Sequence, residues 1–126
     1  MVEVKNGAPV SQGSYAFLES YCDDPECDCR KVMINVINMK KSDTILATIG
    51  YGWESEKFYA EWIGDKKMGK EITGAYFEAA GVQTKYAGEF LQLWKLMTAQ
   101  NKEYVNRLKR HYVMWKKITN LKITNE

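Results

Sequence analysis

The sequence contains few cysteines, histidines and prolines, and these shortages exclude several classes of protein. It has three cysteines, one histidine and two prolines in 126 residues. Three cysteines cannot all pair in disulfides, and all of them fall within residues 22–29, whereas disulfide-rich secreted domains distribute cysteine pairs along the chain. The low proline content and the hydrophobic share of 45% exclude an intrinsically disordered segment.

The sequence also lacks the long apolar segments of membrane and secreted proteins. No uninterrupted apolar run reaches the ~18 residues that a membrane-spanning helix requires. Residues 1–7 lack the basic and then apolar pattern of a secretory signal peptide, so we predict a cytoplasmic protein. The length predicts a single domain covering residues 1–126, in which residues 1–13 form a frayed lead-in.

Known catalytic signatures are missing as well. The sequence has no glycine-rich phosphate loop, no H-E-x-x-H motif and no G-x-S-x-G motif. The run from Pro25 to Cys29 differs in order and spacing from the signature of zinc deaminases. An enzyme would have to use carboxylates such as Glu19 for acid–base chemistry, and the sequence does not single one out. We therefore favour a protein without catalytic residues and keep an enzyme as the weaker alternative.

Alternating apolar and polar residues predict three β-strands in the first half of the chain. The strands cover residues 15–21, 31–39 and 44–51, and the second is rich in β-branched residues. A short polar turn at 40–43 connects the second and third strands, which favours antiparallel neighbours. The pattern therefore predicts a three-stranded antiparallel meander.

In the second half of the chain, apolar residues recur with the 3.6-residue period of a helix. Ser55 is the predicted N-cap of a first helix that ends before Gly64. Asp65 begins a further helical segment, whose course through residues 69–84 the pattern leaves open. The last two helices are predicted at residues 86–97 and 102–118. The expected fold class is α+β, with the meander followed by three or four helices.

The loop between the first two predicted strands contains all three cysteines in a C-x4-C-x-C arrangement. Zinc in proteins prefers four nitrogen, sulfur or oxygen ligands in a tetrahedron. A turn between paired strands can bring three thiolates to one point, and Pro25 stiffens the longer part of this turn. The spacing therefore predicts a zinc ion bound by Cys22, Cys27 and Cys29.

Two other interpretations of the cysteines stay open: reduced thiols in an exposed acidic turn, or a redox-active pair formed by Cys27 and Cys29. A reactive thiolate usually needs a positive environment, and the acidic residues of the turn oppose it. A bound zinc ion removes this objection, and Arg30 and Lys31 could offset the negative charge of the bound site. The acidic residues of the turn are Asp23, Asp24, Glu26 and Asp28.

His111 is the predicted fourth zinc ligand. It is the chain's only histidine and lies at the edge of the apolar face of the last predicted helix, three residues after Leu108 and four before Trp115. The alternative is that His111 is a core-edge histidine that does not bind the zinc ion. Water, Asp24 or Asp28 would then be the fourth ligand. A closed site of this kind has no position for substrate, so we expect structural zinc that joins the last helix to the first hairpin loop. Its removal should loosen the domain.

Two motifs lie near opposite ends of the chain. Residues 14–30 contain Y-C-x-D-P-x-C-D-C, and residues 104–112 contain R-L-K-R-H-Y. Together these segments resemble an uncharacterised family of short bacterial proteins, and the resemblance covers nearly the whole length. The resemblance implies that the two motifs share one metal site, and it brings no assigned activity.

Charge is distributed unevenly along the chain. Residues 1–94 carry 10 basic and 14 acidic side chains, a net charge of −4, whereas residues 95–126 carry 8 basic and 2 acidic ones, a net charge of +6. A solvated helix with a basic outer face explains this split, and a surface for nucleic acid or another polyanion gives the same count. The candidate polyanion contacts in the last predicted helix are Lys102, Arg107, Lys109, Arg110, Lys116 and Lys117.

The favoured function is a zinc-stabilised interaction module whose partner is a protein. Four tryptophans and eight tyrosines provide aromatic area for a partner surface, although most of them should lie in the core. Binding of nucleic acid or another polyanion through the last helix is the alternative, and a zinc enzyme is the least favoured. No membrane partner is predicted.

Overall fold

The structure, a computed structural model, describes residues 2–4 and 13–124, with side chains described for 14–40 and 44–120. It has the predicted α+β class, with an antiparallel sheet and, in the described part, four helices. The strands are β1 (Val2–Val4), β2 (Gly13–Ser20), β3 (Lys31–Asn38), β4 (Lys41–Gly52) and β5 (Gly74–Phe77). The helices are α1 (Glu56–Ile63), α2 (Lys66–Glu71), α3 (Ala87–Gln100) and α4 (Lys102–Thr124).

The sheet is larger than the predicted meander. The three predicted strands are present as β2, β3 and β4, which pair antiparallel in this order. β5 extends the sheet beyond β4, so the described residues form four main strands with the short β1 at the edge. The predicted count of three strands is therefore wrong. β5 has only four residues, too few to show an alternating pattern, and two helices separate it from β4 along the chain. The sequence therefore contains no local signal for this strand.

Part of the segment predicted as a frayed lead-in lies in the sheet. Val2–Val4 pairs antiparallel with the beginning of β2, and Val2 lies opposite Tyr15. The rest of that prediction, at residues 1 and 5–12, falls outside the described residues. A three-residue strand therefore covers the edge of the sheet beside β2.

Capping residues set the limits of α1 and α2, and the predictions for both are confirmed. The Ser55 side chain accepts a hydrogen bond from a backbone N–H of the first turn of α1, and Gly64 follows that helix with a φ of +83°. Asp65 caps α2 in the same way. Gly69 weakens α2 as an isolated helix, but a Cβ at this position would lie 2.5 Å from the backbone nitrogen of Ala60. The glycine therefore permits the close contact between α1 and α2.

The core lies between the sheet, α3 and α4. Alternate residues of β3 point into it, and Ile34 among them is fully buried. Trp94 of α3 is also fully buried, and its indole N–H donates to the carbonyl oxygen of Gly50 in β4 at 3.0 Å. Leu108 brings α4 into the same cluster. This packing places the residues of α4 beyond Leu108 beside the loop between β2 and β3.

Candidate metal centre

The loop between β2 and β3, residues 21–30, brings the three cysteines together. The Sγ atoms of Cys22, Cys27 and Cys29 all lie within 4.8 Å of one another. Cys29 is buried, the other two are half-buried, and all three are free thiols rather than disulfides. The convergence predicted from the spacing is therefore confirmed.

A tight turn returns the chain from Cys22 to Cys27. The Cys27 N–H donates to the carbonyl oxygen of Asp24 at 3.1 Å. The Asp24 carboxylate accepts a second hydrogen bond, from the N–H of Glu26 at 3.0 Å. This is a β-turn with Asp at its first position and Pro25 at its second, a combination that the turn geometry favours. The local sequence therefore determines how the longer part of the loop folds.

The three sulfurs lie close enough together to bind one metal ion. With zinc–sulfur distances of ~2.3 Å, two sulfurs on the same zinc ion are about 3.8 Å apart. Sulfurs that already lie within 4.8 Å of one another need only a small movement to bind a common ion. Thiolates also favour soft or borderline metals over magnesium and calcium. The described residues thus contain a cluster that can hold a metal.

The surroundings of Cys27 oppose the ionisation of its thiol. Burial, a hydrogen bond to Cys22 and the neighbouring Cys29 raise the pKa of the Cys27 thiol to about 12. Such a thiol is protonated at neutral pH and is a weak nucleophile, which argues against a redox-active pair of Cys27 and Cys29. A bound cation has the opposite effect, because its charge stabilises the thiolates.

Two tyrosines hold the backbone at the end of the loop. Arg30 has a φ of +48°, a left-handed conformation that costs a residue with a side chain roughly 1–2 kcal/mol. The Tyr112 hydroxyl accepts a hydrogen bond from the Arg30 N–H at 3.2 Å, and the Tyr59 hydroxyl donates to the Arg30 carbonyl oxygen at 2.5 Å. Residues of α1 and α4 therefore fix the position directly after Cys29.

The Arg30 side chain is bound to an acidic residue of the same loop. Its guanidinium contacts both carboxylate oxygens of Asp28 at 2.8–3.1 Å and lies 4.6 Å from the centre of the Phe58 ring. The hydrogen bonds from Arg30 are the main cause that lowers the pKa of Asp28. Asp28 also accepts a hydrogen bond from the Tyr112 hydroxyl at 3.1 Å. Asp28, an alternative fourth ligand in the sequence prediction, is thus engaged elsewhere.

α4 contacts the loop through two side chains one helical turn apart. Tyr112 makes the hydrogen bonds to Arg30 and Asp28. The Lys116 ammonium donates to the carbonyl oxygen of Asp24 at 2.7 Å and lies 5.5 Å from the centre of the Tyr112 ring. The carbonyl oxygen of Leu108 adds a further contact, because it accepts a hydrogen bond from the Tyr21 hydroxyl at 3.2 Å. None of these contacts involves the histidine.

His111 lies one residue before Tyr112 and contacts a different part of the molecule. Its Nδ1 atom is 2.7 Å from a carboxylate oxygen of Glu19, near the end of β2. The same carboxylate accepts a hydrogen bond from the Tyr21 hydroxyl at 2.6 Å and pairs with Arg107 at 3.4 Å. Sequence reasoning missed this network because Glu19 and His111 are 92 residues apart and no local pattern connects them.

The described part of the chain places no fourth protein ligand beside the three sulfurs. The group whose ligand atoms lie within 4.8 Å of one another consists of the three cysteines alone, so His111, Asp24 and Asp28 lie outside it. His111 as the fourth ligand stays a prediction, since metal binding there would require a movement of its ring or of the loop.

A small cavity lies beside two of the cysteines. Its volume is about 210 Å³, and its lining includes Cys22 and Cys29 as well as Lys31, Tyr76 and Glu78. The Lys31 ammonium lies 5.9 Å from the centre of the Tyr76 ring. A small molecule in this cavity would therefore contact the cysteine cluster directly.

The basic residues of α4 whose side chains the structure describes divide into two groups. Arg107 pairs with Glu19, and Lys116 is bound to the cysteine loop. The others are exposed on the helix and form no ion pair with any residue that the structure describes. This second group consists of Lys102, Lys109, Arg110 and Lys117.

Comparison of the chain with family models, curated proteins and solved structures found no match. The resemblance to a family of short bacterial proteins therefore stays a prediction. Within residues 2–4 and 13–124, no helix has both the length and the apolar character required to cross a membrane.

Proposed function

We propose that the protein is a small zinc-binding interaction module, in which one zinc ion bound by Cys22, Cys27 and Cys29 holds the cysteine loop in shape. The observation that carries the proposal is the convergence of the three Sγ atoms within 4.8 Å. Zinc is the metal of choice because it combines a preference for thiolates with tetrahedral geometry and needs no redox change.

The ion would act on the fold through the neighbours of the loop. Tyr59 connects the loop to the beginning of the α1–α2 region, and Tyr112 connects it to α4. Structural zinc binds model peptides with ~10–16 kcal/mol, which is comparable with the ~5–15 kcal/mol of stability of a whole domain. Loss of the ion should therefore loosen the loop and the part of α4 that packs on it.

The outer surface of α4 is the proposed partner surface. Met114 and Ile118, which lie one helical turn apart on the same face, are 58% and 46% exposed, and the adjacent Val113 is 50% exposed. Grouped exposed apolar side chains are typical of surfaces that another protein covers. By holding α4 against the loop, the zinc ion would keep this surface in place.

The first test is the metal content of the untagged protein, measured by elemental mass spectrometry. We expect one zinc ion per chain in the wild type and loss of zinc in Cys29→Ser, which removes the buried ligand. Met114→Ser is the matched control, because it removes an exposed sulfur-containing side chain outside the cluster and should retain zinc. A wild-type protein without zinc would refute the proposal.

His111→Ala tests the predicted fourth ligand separately. If His111 completes the site, the variant binds zinc much more weakly than the wild type. If the zinc affinity is unchanged, the three cysteines are the ligands that the chain provides and His111 is not one of them. Glu19→Ala is a useful companion, because it removes the contact that orients His111 without removing the imidazole.

Binding of a polyanion is a second candidate function, favoured by the exposed basic group of α4. Lys109, Arg110 and Lys117 lie on the outer part of one helix without ion pairs to described residues. Random-sequence RNA should then bind in a manner that weakens steeply with added salt. The double variant Lys109→Glu/Arg110→Glu should abolish this binding, and Lys95→Glu on α3 serves as the control. Binding that neither salt nor the double variant weakens would exclude this function.

A further inference from the structure

The proposed zinc site has three protein ligands and a fourth position to fill. His111 is held beside Glu19, and Asp28 is bound to Arg30 and Tyr112. Closed structural sites have four protein ligands, whereas sites with three protein ligands exchange water or another molecule at the fourth position. The ligand set therefore has the composition of a site that accepts an external ligand.

The cavity beside Cys22 and Cys29 is the space through which such a ligand would reach the metal. These two cysteines belong to its wall, and its volume of about 210 Å³ admits only a small molecule. Tyr76 also lines the cavity. Burial raises the pKa of the Tyr76 hydroxyl, so this group is a neutral hydrogen-bond donor at physiological pH.

The wall of the cavity carries one positive and one negative side chain. Lys31 and Glu78 both line it, and neither forms an ion pair with a described residue. The Lys31 ammonium contacts the Tyr76 ring, and one Glu78 oxygen accepts a long hydrogen bond of 3.4 Å from the Ala80 N–H. Both charges are therefore available to a ligand that carries the opposite charges.

We propose that this cavity binds a small aminothiol, a molecule of the cysteine type, whose sulfur becomes the fourth ligand of the metal. The proposal rests on the zinc site proposed above. The carboxylate of the ligand would pair with Lys31, and its ammonium with Glu78. A sulfur donor suits a metal that three thiolates already hold.

The binding step is a ligand exchange without electron transfer. The thiol releases its proton to solvent, its sulfur forms a bond to the metal, and a water molecule at the fourth position leaves. Reversal of the same step releases the ligand. Because a free thiol has an ordinary pKa of ~8.5, binding should strengthen as the pH rises towards that value.

The full chain loaded with cobalt(II) in the absence of oxygen provides the test. Cobalt(II) accepts the tetrahedral geometry of zinc sites, and its sulfur-to-metal charge-transfer absorption increases with the number of bound thiolates. We expect free cysteine to increase this absorption in a saturable manner. Free serine is the control ligand, because a hydroxyl replaces the thiol, and it should leave the spectrum unchanged.

Truncated ligands and two variants locate the charged contacts. Mercaptopropionate lacks the ammonium, and cysteamine lacks the carboxylate. Lys31→Met should weaken the binding of free cysteine and of mercaptopropionate on the order of tenfold and leave the binding of cysteamine unchanged. Glu78→Gln should weaken the binding of free cysteine and of cysteamine by a similar factor and leave the binding of mercaptopropionate unchanged. Lys117→Met is the matched control, because Lys117 lines a separate groove that adjoins Cys27. Circular dichroism verifies that each variant is folded.

The contrary results distinguish failure of the aminothiol site from failure of the zinc site on which it depends. Cobalt that binds without any response to free cysteine would overturn the aminothiol site and leave the metal site standing. Failure to bind cobalt would overturn both. A response that appears only after His111→Ala would assign the fourth position to His111. If Lys117→Met weakened the binding of free cysteine as much as Lys31→Met, the ligand would not be bound in this cavity and the proposal would be wrong.

Discussion

Two regions of the molecule are held together in different ways: the core beneath α3 and the cysteine loop at residues 21–30. In the core, Trp94, Phe90 and Ile34 are 0–1% exposed, so the burial of apolar surface stabilises this region. The loop buries Cys29 but leaves Cys22 and Cys27 half-exposed, and hydrogen bonds to its backbone hold it in place. Since the loop has little apolar burial of its own, a bound metal should matter most there.

The largest effect is expected from a change in the core. Trp94→Ala should lower the free energy of unfolding by about 3–5 kcal/mol, because it leaves a cavity and removes the donor that satisfies the Gly50 carbonyl. Urea denaturation measures the change. Lys95→Ala, at the next and exposed position, is the control and should stay within about 0.5 kcal/mol of the wild type. A similar loss in both variants would contradict the assignment of Trp94 to the core.

Removal of the proposed zinc ion should affect mainly the loop. An ion present at 100 times its dissociation constant contributes about 2.7 kcal/mol to stability, and a chelator should remove this contribution. Hydrogen exchange with mass spectrometry should show protection lost at residues 21–30 and at the part of α4 that holds Tyr112 and Lys116. Amides of β3 should retain theirs. Equal loss of protection in both regions would end the distinction between them.

A smaller effect is expected when one hydrogen-bonding group of the loop is removed. Tyr112→Phe deletes the hydroxyl that binds the Arg30 N–H and Asp28, and should lower the free energy of unfolding by about 1–2 kcal/mol. It should also weaken metal binding, because Arg30 follows the proposed ligand Cys29. Tyr86→Phe, at an exposed position before α3, is the matched control. The prediction fails if the two variants behave alike in both measurements.

The smallest effect concerns pH. Burial opposes ionisation of Glu19, but hydrogen bonds from Tyr21 and His111 outweigh it and lower the pKa below its ordinary value of 4.5. A lowered folded-state pKa means that the carboxylate stabilises the fold above pH 4.5, and that this stabilisation is lost as the pH falls through the folded-state value. Glu19→Gln should therefore flatten the acid side of a plot of melting temperature against pH. Glu61→Gln, exposed on α1, should leave the slope intact.

Local signals explain which parts of the fold could be predicted from the sequence. Ser55 and Gly64 define α1 because a cap depends on residues within one turn of the helix end. The cysteine cluster could be predicted for a similar reason, since all three residues belong to one turn with Pro25 at its centre. In each case the information lies within a few residues of the feature that it determines.

Features that depend on docking between distant segments could not be predicted in this way. β5 forms because it pairs with the edge of β4, and its own four residues show no regular alternation of apolar and polar side chains. The contact of His111 with Glu19 depends on how α4 lies on β2, and the helical period indicates only that His111 is near the core side. The same holds for Tyr59 and Tyr112, whose hydroxyls meet at Arg30 from two different helices.

Because of the left-handed backbone at Arg30, the proposed metal site should not keep its full affinity outside this fold. A synthetic peptide containing residues 21–31 would retain the three cysteines and the turn at Pro25, but it would lose both tyrosine hydroxyls that hold Arg30 at a φ of +48°. Arg30 would then relax to a common backbone conformation, and Cys29 would no longer be positioned before binding. Grafting the loop into another hairpin should therefore yield a weaker chelator unless a glycine at position 30, or a pair of equivalent hydroxyls, is grafted with it.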